Sequence, residues 1–307
     1  MSVSLLFEPA PDAVYGFPNA RQLVRVDSPH QHIEVWDTPQ LGRLFTLDGQ
    51  PMTSAGDEFI YHECMTHPAA LAHPAPRAAL VLGGGDGGAA KQLLRHASIE
   101  RIVVAELDDE VVRLTREHLP DVHGGAFDDP RVELVIGDAA QYVARCSAQC
   151  GVQCGAPDAA GAPGAMRFDL VVFDLTPPDS PAAGLYTPAF FADLKRLLAP
   201  QAAISLHLGS PYFHAARVAA LLANLQQVFA IVRPLAAYVP LYGSLWMMAV
   251  ASDTLDPASL TEHDLAARLA QRGLHGLRFY DAALHAALFA APHAVRDKLG
   301  RFLKPSP

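Results

Sequence analysis

The sequence predicts an α/β protein: a Rossmann-like domain with a doubly wound, mainly parallel sheet, preceded by a small N-terminal β-domain. Three observations predict it. From Arg77 onward, apolar runs of strand length alternate with helical segments. A glycine cluster, Gly83-Gly84-Gly85-Asp86-Gly87-Gly88, follows the first of these runs and precedes a helix. Before them, residues 20–60 read as short strands broken by turns.

In that first part, RQLVRVDS, HIEVWDT and GRLFTLDG carry β-branched and aromatic residues, with Ser28-Pro29, Thr38-Pro39 and Asp48-Gly49 as turn signals between or after them. Residues 57–72 place Phe59, Ile60, Met65 and Ala69 at helical spacing and lead into the second domain. The expected division is a β-domain over 1–65 and a catalytic domain over 66–307. Within the latter, AALVLGG is a buried strand, AAKQLLRHA a helix, RIVVAEL a strand and DEVVRLTREHL a helix. VELVIGD, FDLVVFD and AAISLHL are further strands. Residues 146–166, rich in Ala, Gly and Pro and without periodicity, read as a flexible surface insertion.

A chain of 307 residues, half of them hydrophobic, can bury a full core. No apolar run reaches the ~18 residues that a membrane span needs. The start, MSVSLLFEPAPDAVYGF, lacks a basic region followed by an apolar one, so a cytoplasmic protein is expected. Cys146, Cys150 and Cys154 crowd one stretch and Cys64 stands alone, which is no disulfide framework. A net charge of −9 without a basic stripe argues against a nucleic-acid binder and is compatible with small cationic substrates.

Gly83, Gly85 and Gly88 satisfy the dinucleotide fingerprint, and Glu106 ends the next strand, where a carboxylate can accept hydrogen bonds from ribose hydroxyls. Asp86 lies inside the turn, where a dinucleotide would place its pyrophosphate. A carboxylate there repels phosphates and attracts a cation. An adenosine ligand with positive charge and no phosphates fits, so the domain is read as S-adenosyl-binding. Asp138 and Asp174 end two further strands, and Asp138 also suits a helix N-cap. Four carboxylates at successive strand ends converge on one crevice in such a fold.

GGGDGG followed by AELDDEVV resembles the spermidine synthases, or polyamine aminopropyltransferases. So do QHIEVWDT, GRLFTLDG and DEFIYHE in the first domain, the segment FDLVVFDLTPPDSPAAGLYTPAFF, Tyr242 in YVPLYG, and FYDAALHAALF. The resemblance runs from about residue 20 to 292 in the same order. It implies transfer of the aminopropyl group of decarboxylated S-adenosylmethionine, a co-substrate rather than a tightly bound cofactor, to putrescine. It implies Asp174 as catalytic acid/base. Gln31, Gly83, Gly85, Asp86, Glu106, Asp138, Ala139 and Pro181 would contact the nucleoside. Tyr61, His62, Asp86, Asp174 and Tyr242 would line the aminopropyl and polyamine sites. The partner is a small cationic polyamine, and the assembly a homodimer or homotetramer.

The chemistry stands on its own terms. A primary amine with a pKa of about 10 arrives protonated at neutral pH. A carboxylate must receive that proton, and apolar surroundings ease the loss. Asp174, after the apolar run LVVF, is well placed. The sequence departs from the family pattern on the acceptor side. Pro177 stands where a second Asp is usual, with Asp179 two residues on as a candidate replacement. His207 and Met52 stand where glutamines are common.

No metal site is expected. His62-Glu63 with His67 imitates a zincin helix, but the histidines are five apart and would face different ways. The three clustered cysteines read as free thiols. Another acceptor, such as cadaverine or spermidine, a methyltransferase on the same fold, and a silent nucleoside binder are the competing readings. The β-domain and DEFIYHE argue against the methyltransferase.

Overall fold

The computed structural model describes residues 2–153, 167–178 and 180–303. The chain begins with five strands, β1 (Val3–Ala10), β2 (Ala13–Asp27), β3 (His32–Thr38), β4 (Gly42–Leu47) and β5 (Gln50–Ser54), in one antiparallel sheet ordered as in the sequence. Helix α1 (Glu58–Ala72) follows. Then come β6 (Ala78–Gly83), α2 (Gly88–Leu94), β7 (Arg101–Glu106), α3 (Asp109–His118), a short α4 (Pro120–His123) and β8 (Val132–Ile136). Next are α5 (Ala139–Gln153), β9 (Phe168–Asp174), α6 (Pro188–Lys195), β10 (Leu198–Gly209) and α7 (Ala215–Gln226). Two more strands, β11 (Ile231–Val239) and β12 (Ser244–Ser252), precede α8 (Glu262–Gln271), α9 (Ala282–Leu288) and α10 (His293–Leu303).

The second sheet has seven strands in the order β11-β12-β10-β9-β6-β7-β8. Strands β10, β9, β6, β7 and β8 are parallel, and β12 and β11 are antiparallel additions. The unbroken apolar run of β6 has a direct cause. Leu80 and Leu82 face one core, Ala79 and Val81 the other, so neither face meets water. Strand order reverses at β6, which lies between β7 and β9. That is the switch point where the carboxyl ends of an open α/β sheet part to form a crevice.

Helix boundaries follow from capping. The Asp108 side chain accepts from Glu110 N at the start of α3, and Thr187 caps α6 just before Pro188. Thr261 and Asp264 form a capping box on α8. The C-terminal carbonyls of α1 are taken by arginines: Arg272 donates to Ala70 O at 2.7 Å, and Arg268 to Leu71 O and Ala72 O. Glu63, in mid-helix, accepts from the backbone N–H groups of Arg278, Phe279 and Tyr280 at 2.8–2.9 Å.

The insertion expected over 146–166 is corrected in its first part, because α5 continues to Gln153. Ala139, Tyr142, Val143 and Cys146 recur at helical spacing and pack on the main core, which carries the helix past the point where composition suggests a loop. The remainder, 154–166, with Cys154, lies outside the described residues. Strands β1, β5, β11 and β12 match none of the segments named as strands from the sequence. In β12, SLWMMAVAS is apolar almost throughout and shows no alternation to separate it from a buried helix. No helix among the described residues is long and apolar enough to cross a membrane.

Candidate active site

The carboxyl ends of β6, β7, β8 and β9 open into a cavity of about 840 Å³. Gly83 pairs with Asp174 across the switch point, and Gly84 N donates to Asp174 O at 2.9 Å. The glycines answer to space. A Cβ on Gly83 would lie 2.3 Å from Asp174 O, and one on Gly85 2.9 Å from a Glu106 oxygen. Gly83 also has φ of +75°, a backbone that L side chains rarely adopt.

The turn fixes two carboxylates. Glu106 accepts from Gly85 N and from Asp108 N, each at 3.0 Å, so its oxygens are aimed along the cavity wall. Burial pushes the Glu106 carboxyl up to about 7, with those backbone donors opposing the rise. Asp86 accepts from Gly88 N at 2.9 Å. Asp138 caps α5 through Ala140 N at 2.6 Å and lines the cavity beside Ala139. Gln31, on the loop before β3, donates to Asp108 Oδ2 at 2.9 Å and also lines the cavity.

On the other side stands a cluster of titratable groups. His62 lies one layer behind the cavity wall, 1% exposed, with Nε2 3.4 Å from Asp86 Oδ2 and 3.6 Å from Asp174 Oδ2. Its Nδ1 meets Glu58 Oε2 at 2.8 Å. Neither His62 Nε2 nor Asp174 Oδ2 has a hydrogen bond among the described residues. Burial works against charge on His62, but Asp86, Asp174 and Glu58 outweigh it and hold the imidazolium well above the usual histidine range. Burial also opposes charge on Asp86, and the imidazolium overcomes this, so its carboxyl falls below its ordinary value. Asp174 moves the other way. Burial raises it, Asp86 adds to the rise, and His62 only partly compensates. Two neighbouring carboxylates with oppositely shifted proton affinities therefore face one cavity.

Aromatic rings close that side. Tyr61 and Tyr242 meet edge to face at 6.0 Å, and Tyr242 lies 4.4 Å from Trp246. His207 stacks on Trp246 at 5.9 Å and reaches Leu175 O at 2.7 Å. Burial raises both tyrosine phenols far beyond their normal range, so they stay neutral. An anionic pair walled by neutral aromatics can hold an organic cation and take a proton from it. The ligand-type atoms of His62, Asp86 and Asp174 lie within 4.8 Å of one another, but a charged His62 ring has no lone pair for a metal, and the imidazolium is itself the cation between the two carboxylates.

Of the residues singled out in the sequence, Gln31, Tyr61, Gly83, Gly85, Asp86, Glu106, Asp138, Ala139, Asp174 and Tyr242 line this cavity. Pro181 opens a 3-10 turn, Pro181–Tyr186, and Asp179 lies outside the described residues. His62 and His67 do part ways: His67 Nδ1 meets His96 Nε2 at 3.0 Å, away from the cavity. The sequence reading misses Trp246, whose strand it does not assign, and Glu58. The i, i+4 spacing of Glu58 and His62 in DEFIYHE is the signal that could have found the latter.

Comparison with known proteins agrees with this geometry. The spermine/spermidine synthase domain matches residues 58–262. The chain is 44% identical over 300 residues to the polyamine aminopropyltransferase of Nitrosomonas europaea, covering 97% of this chain and 87% of that protein. It is 37% identical over 273 residues to polyamine aminopropyltransferase 2 of Hyperthermus butylicus, covering 88% and 83%. A crystal structure of spermidine synthase in complex with the transition-state analogue AdoDATO superposes with a TM-score of 0.82 at 28% identity, over 94% of this chain and 92% of that one. Spermidine synthase from Thermotoga maritima gives 0.80 at 29%, over 94% and 91%.

Proposed function

The chain belongs to the spermine/spermidine synthase family and is an aminopropyltransferase of the spermidine synthase type, and from this premise we propose that its donor is decarboxylated S-adenosylmethionine and its acceptor putrescine. The products are spermidine and methylthioadenosine. The observation that carries the reading is the buried carboxylate of Asp174, which lines the cavity between the glycine turn and the aromatic wall, with His62 Nε2 3.6 Å from its Oδ2. The adenosine lies against Gly85, Glu106, Asp138 and Gln31. The attacking ammonium gives its proton to Asp174 as its nitrogen bonds the carbon beside the sulfonium. The C–S bond breaks and its electron pair stays on sulfur, which leaves neutral. No anion develops on the leaving group, so the site mainly positions the reactants.

The acceptor is the finer question. Pro177 removes a carboxylate on that side, and His207 replaces an amide, which supports a different diamine or a polyamine as the second reading. An acceptor screen with putrescine, cadaverine and spermidine, read by mass spectrometry, separates them. Spermidine as the dominant product supports the proposal, and a preference for another amine replaces it. A homodimer or homotetramer in the cytoplasm belongs to the same reading. Exposed Val3, Leu6 and Val14 on the β1–β2 hairpin support self-association, which light scattering tests.

A further inference from the structure

We infer that Glu58 is a positioning residue of the transfer reaction, acting through His62 on the charge of the Asp86–Asp174 pair. The inference rests on the reading that Asp174 takes the amine's proton. Glu58 and His62 stand one turn apart on α1, so their side chains share a face. The Glu58 side chain is 4% exposed, and a carboxylate that deep needs partners. It has two: Oε2 accepts from His62 Nδ1 at 2.8 Å, and Oε1 from Lys91 Nζ of α2 at 2.7 Å.

This arrangement fixes what His62 presents to the two cavity-lining carboxylates. With its Nδ1–H committed to Glu58, the ring cannot turn, and Nε2 points between Asp86 Oδ2 and Asp174 Oδ2. A bare lone pair there would face two anionic oxygens, whereas an N–H faces two acceptors. The ring therefore keeps both protons. The charged groups around it are Glu58 and Asp57 on or before α1, Lys91 of α2 beyond Glu58, Asp86 after β6, and Asp174 ending β9. Tyr61 and Tyr242 add only neutral phenols. The imidazolium is thus the cation next to the proton acceptor, and it keeps a buried carboxylate ionised and ready. The competing account is that Glu58 and Lys91 only fasten α1 to α2.

The test compares the acid limb of kcat/KM for the amine in the wild type, Glu58→Gln and Lys91→Ala. With Gln at 58, His62 loses one of its three carboxylates and discharges at lower pH. Asp174 then loses its cationic neighbour and binds a proton more tightly. The acid limb should move up by about one pH unit. Turnover at neutral pH should fall about tenfold or more. KM for the sulfonium substrate should change less than kcat/KM for the amine, because Gln31, Glu106 and Asp138 are untouched and only Asp86 on that side feels His62. Lys91→Ala removes the fastening but leaves Glu58 on His62, so it should lower Tm without raising the limb. A wild-type limb in Glu58→Gln, or an equal upward shift in Lys91→Ala, overturns the inference. If Glu58→Gln does not fold, the imidazole ¹⁵N resonances of His62 in the wild type decide. Both nitrogens protonated at neutral pH supports it, and a neutral ring overturns it. That readout keeps its meaning even if Asp174→Asn turns over normally and the proton-acceptor reading falls.

Discussion

At the scale of single residues, the roles proposed for Asp174 and Glu106 are separate, and each can be tested apart from the other. Asp174→Asn keeps the shape and loses the basicity. Turnover should fall by about 10²–10⁴-fold while methylthioadenosine still binds, as calorimetry and a turnover assay would show. Near-normal activity would remove Asp174 from the chemistry. Glu106→Gln should weaken nucleoside binding by roughly 1–3 kcal/mol, through lost charge-assisted hydrogen bonds. The wild type should also show a pH signature. Its Glu106 carboxyl is raised to about 7, so the fraction that is ionised, and able to accept from ribose, shrinks as pH falls below 7. Affinity should therefore weaken from pH 8 to pH 6 in the wild type and stay flat in Glu106→Gln. A flat wild-type profile would place the ribose elsewhere. Both residues are legible in the sequence, since a strand's apolar run ends in each. The cluster behind them is not. His62, Asp86 and Asp174 come from α1, a glycine turn and β9, and only the packing of those elements sets 3.4 and 3.6 Å between them.

At the scale of elements, the start of α2 and the middle of α1 are fitted to each other. A Cβ on Gly88 would lie 2.2–2.6 Å from the His62 ring, so Gly88→Ala must push the ring or the helix. We expect a loss of roughly 1–3 kcal/mol in stability together with lower turnover, seen by thermal melts and initial rates. Unchanged melting and activity would mean that the ring has room to give. Glu63 sets a second fit, with three backbone N–H groups of residues 278–280 on one buried carboxylate. Its Gln variant should destabilise the fold with little change in KM, because those bonds face away from the cavity. The sequence shows elements well where they alternate between apolar strand and amphipathic helix, as in β6 through α3. It shows them poorly where composition misleads. Helix α5 runs on through CSAQCGVQ because Cys146 packs inward. Strands β11 and β12 join the sheet antiparallel, and no local pattern announces that pairing.

At the scale of the whole molecule, the two sheets are joined behind the aromatic wall of the cavity, the side proposed to take the acceptor. Asp57 accepts from Leu241 N at 2.7 Å and from Ser54 Oγ, Tyr15 donates to Leu241 O at 2.9 Å, and Tyr242 donates to Met52 O at 2.8 Å. Residues 240–242 are thus held from the N-terminal sheet, and Tyr242 inherits its place from them. Asp57→Asn should cost roughly 1–3 kcal/mol and raise KM for the amine more than KM for the sulfonium substrate. Equal effects on both would separate this seam from the acceptor site. That seam is invisible in the sequence. The turn signals announce a β-domain, but residues some 184 apart, Asp57 and Leu241, meet only once both sheets exist.

Helix α1 buries thirteen of its fifteen residues, including those that carry no chemistry. It has no outward face on which a lineage can drift. Replacements there disturb packing whatever they do to the reaction, so descendants of this protein should diverge at the rim of the cavity, around Glu8, Thr176 and Phe213, before they diverge on α1. An unvarying α1 across such descendants would accordingly record crowding as much as catalysis. On that expectation, the rim is where a change of substrate would first be written.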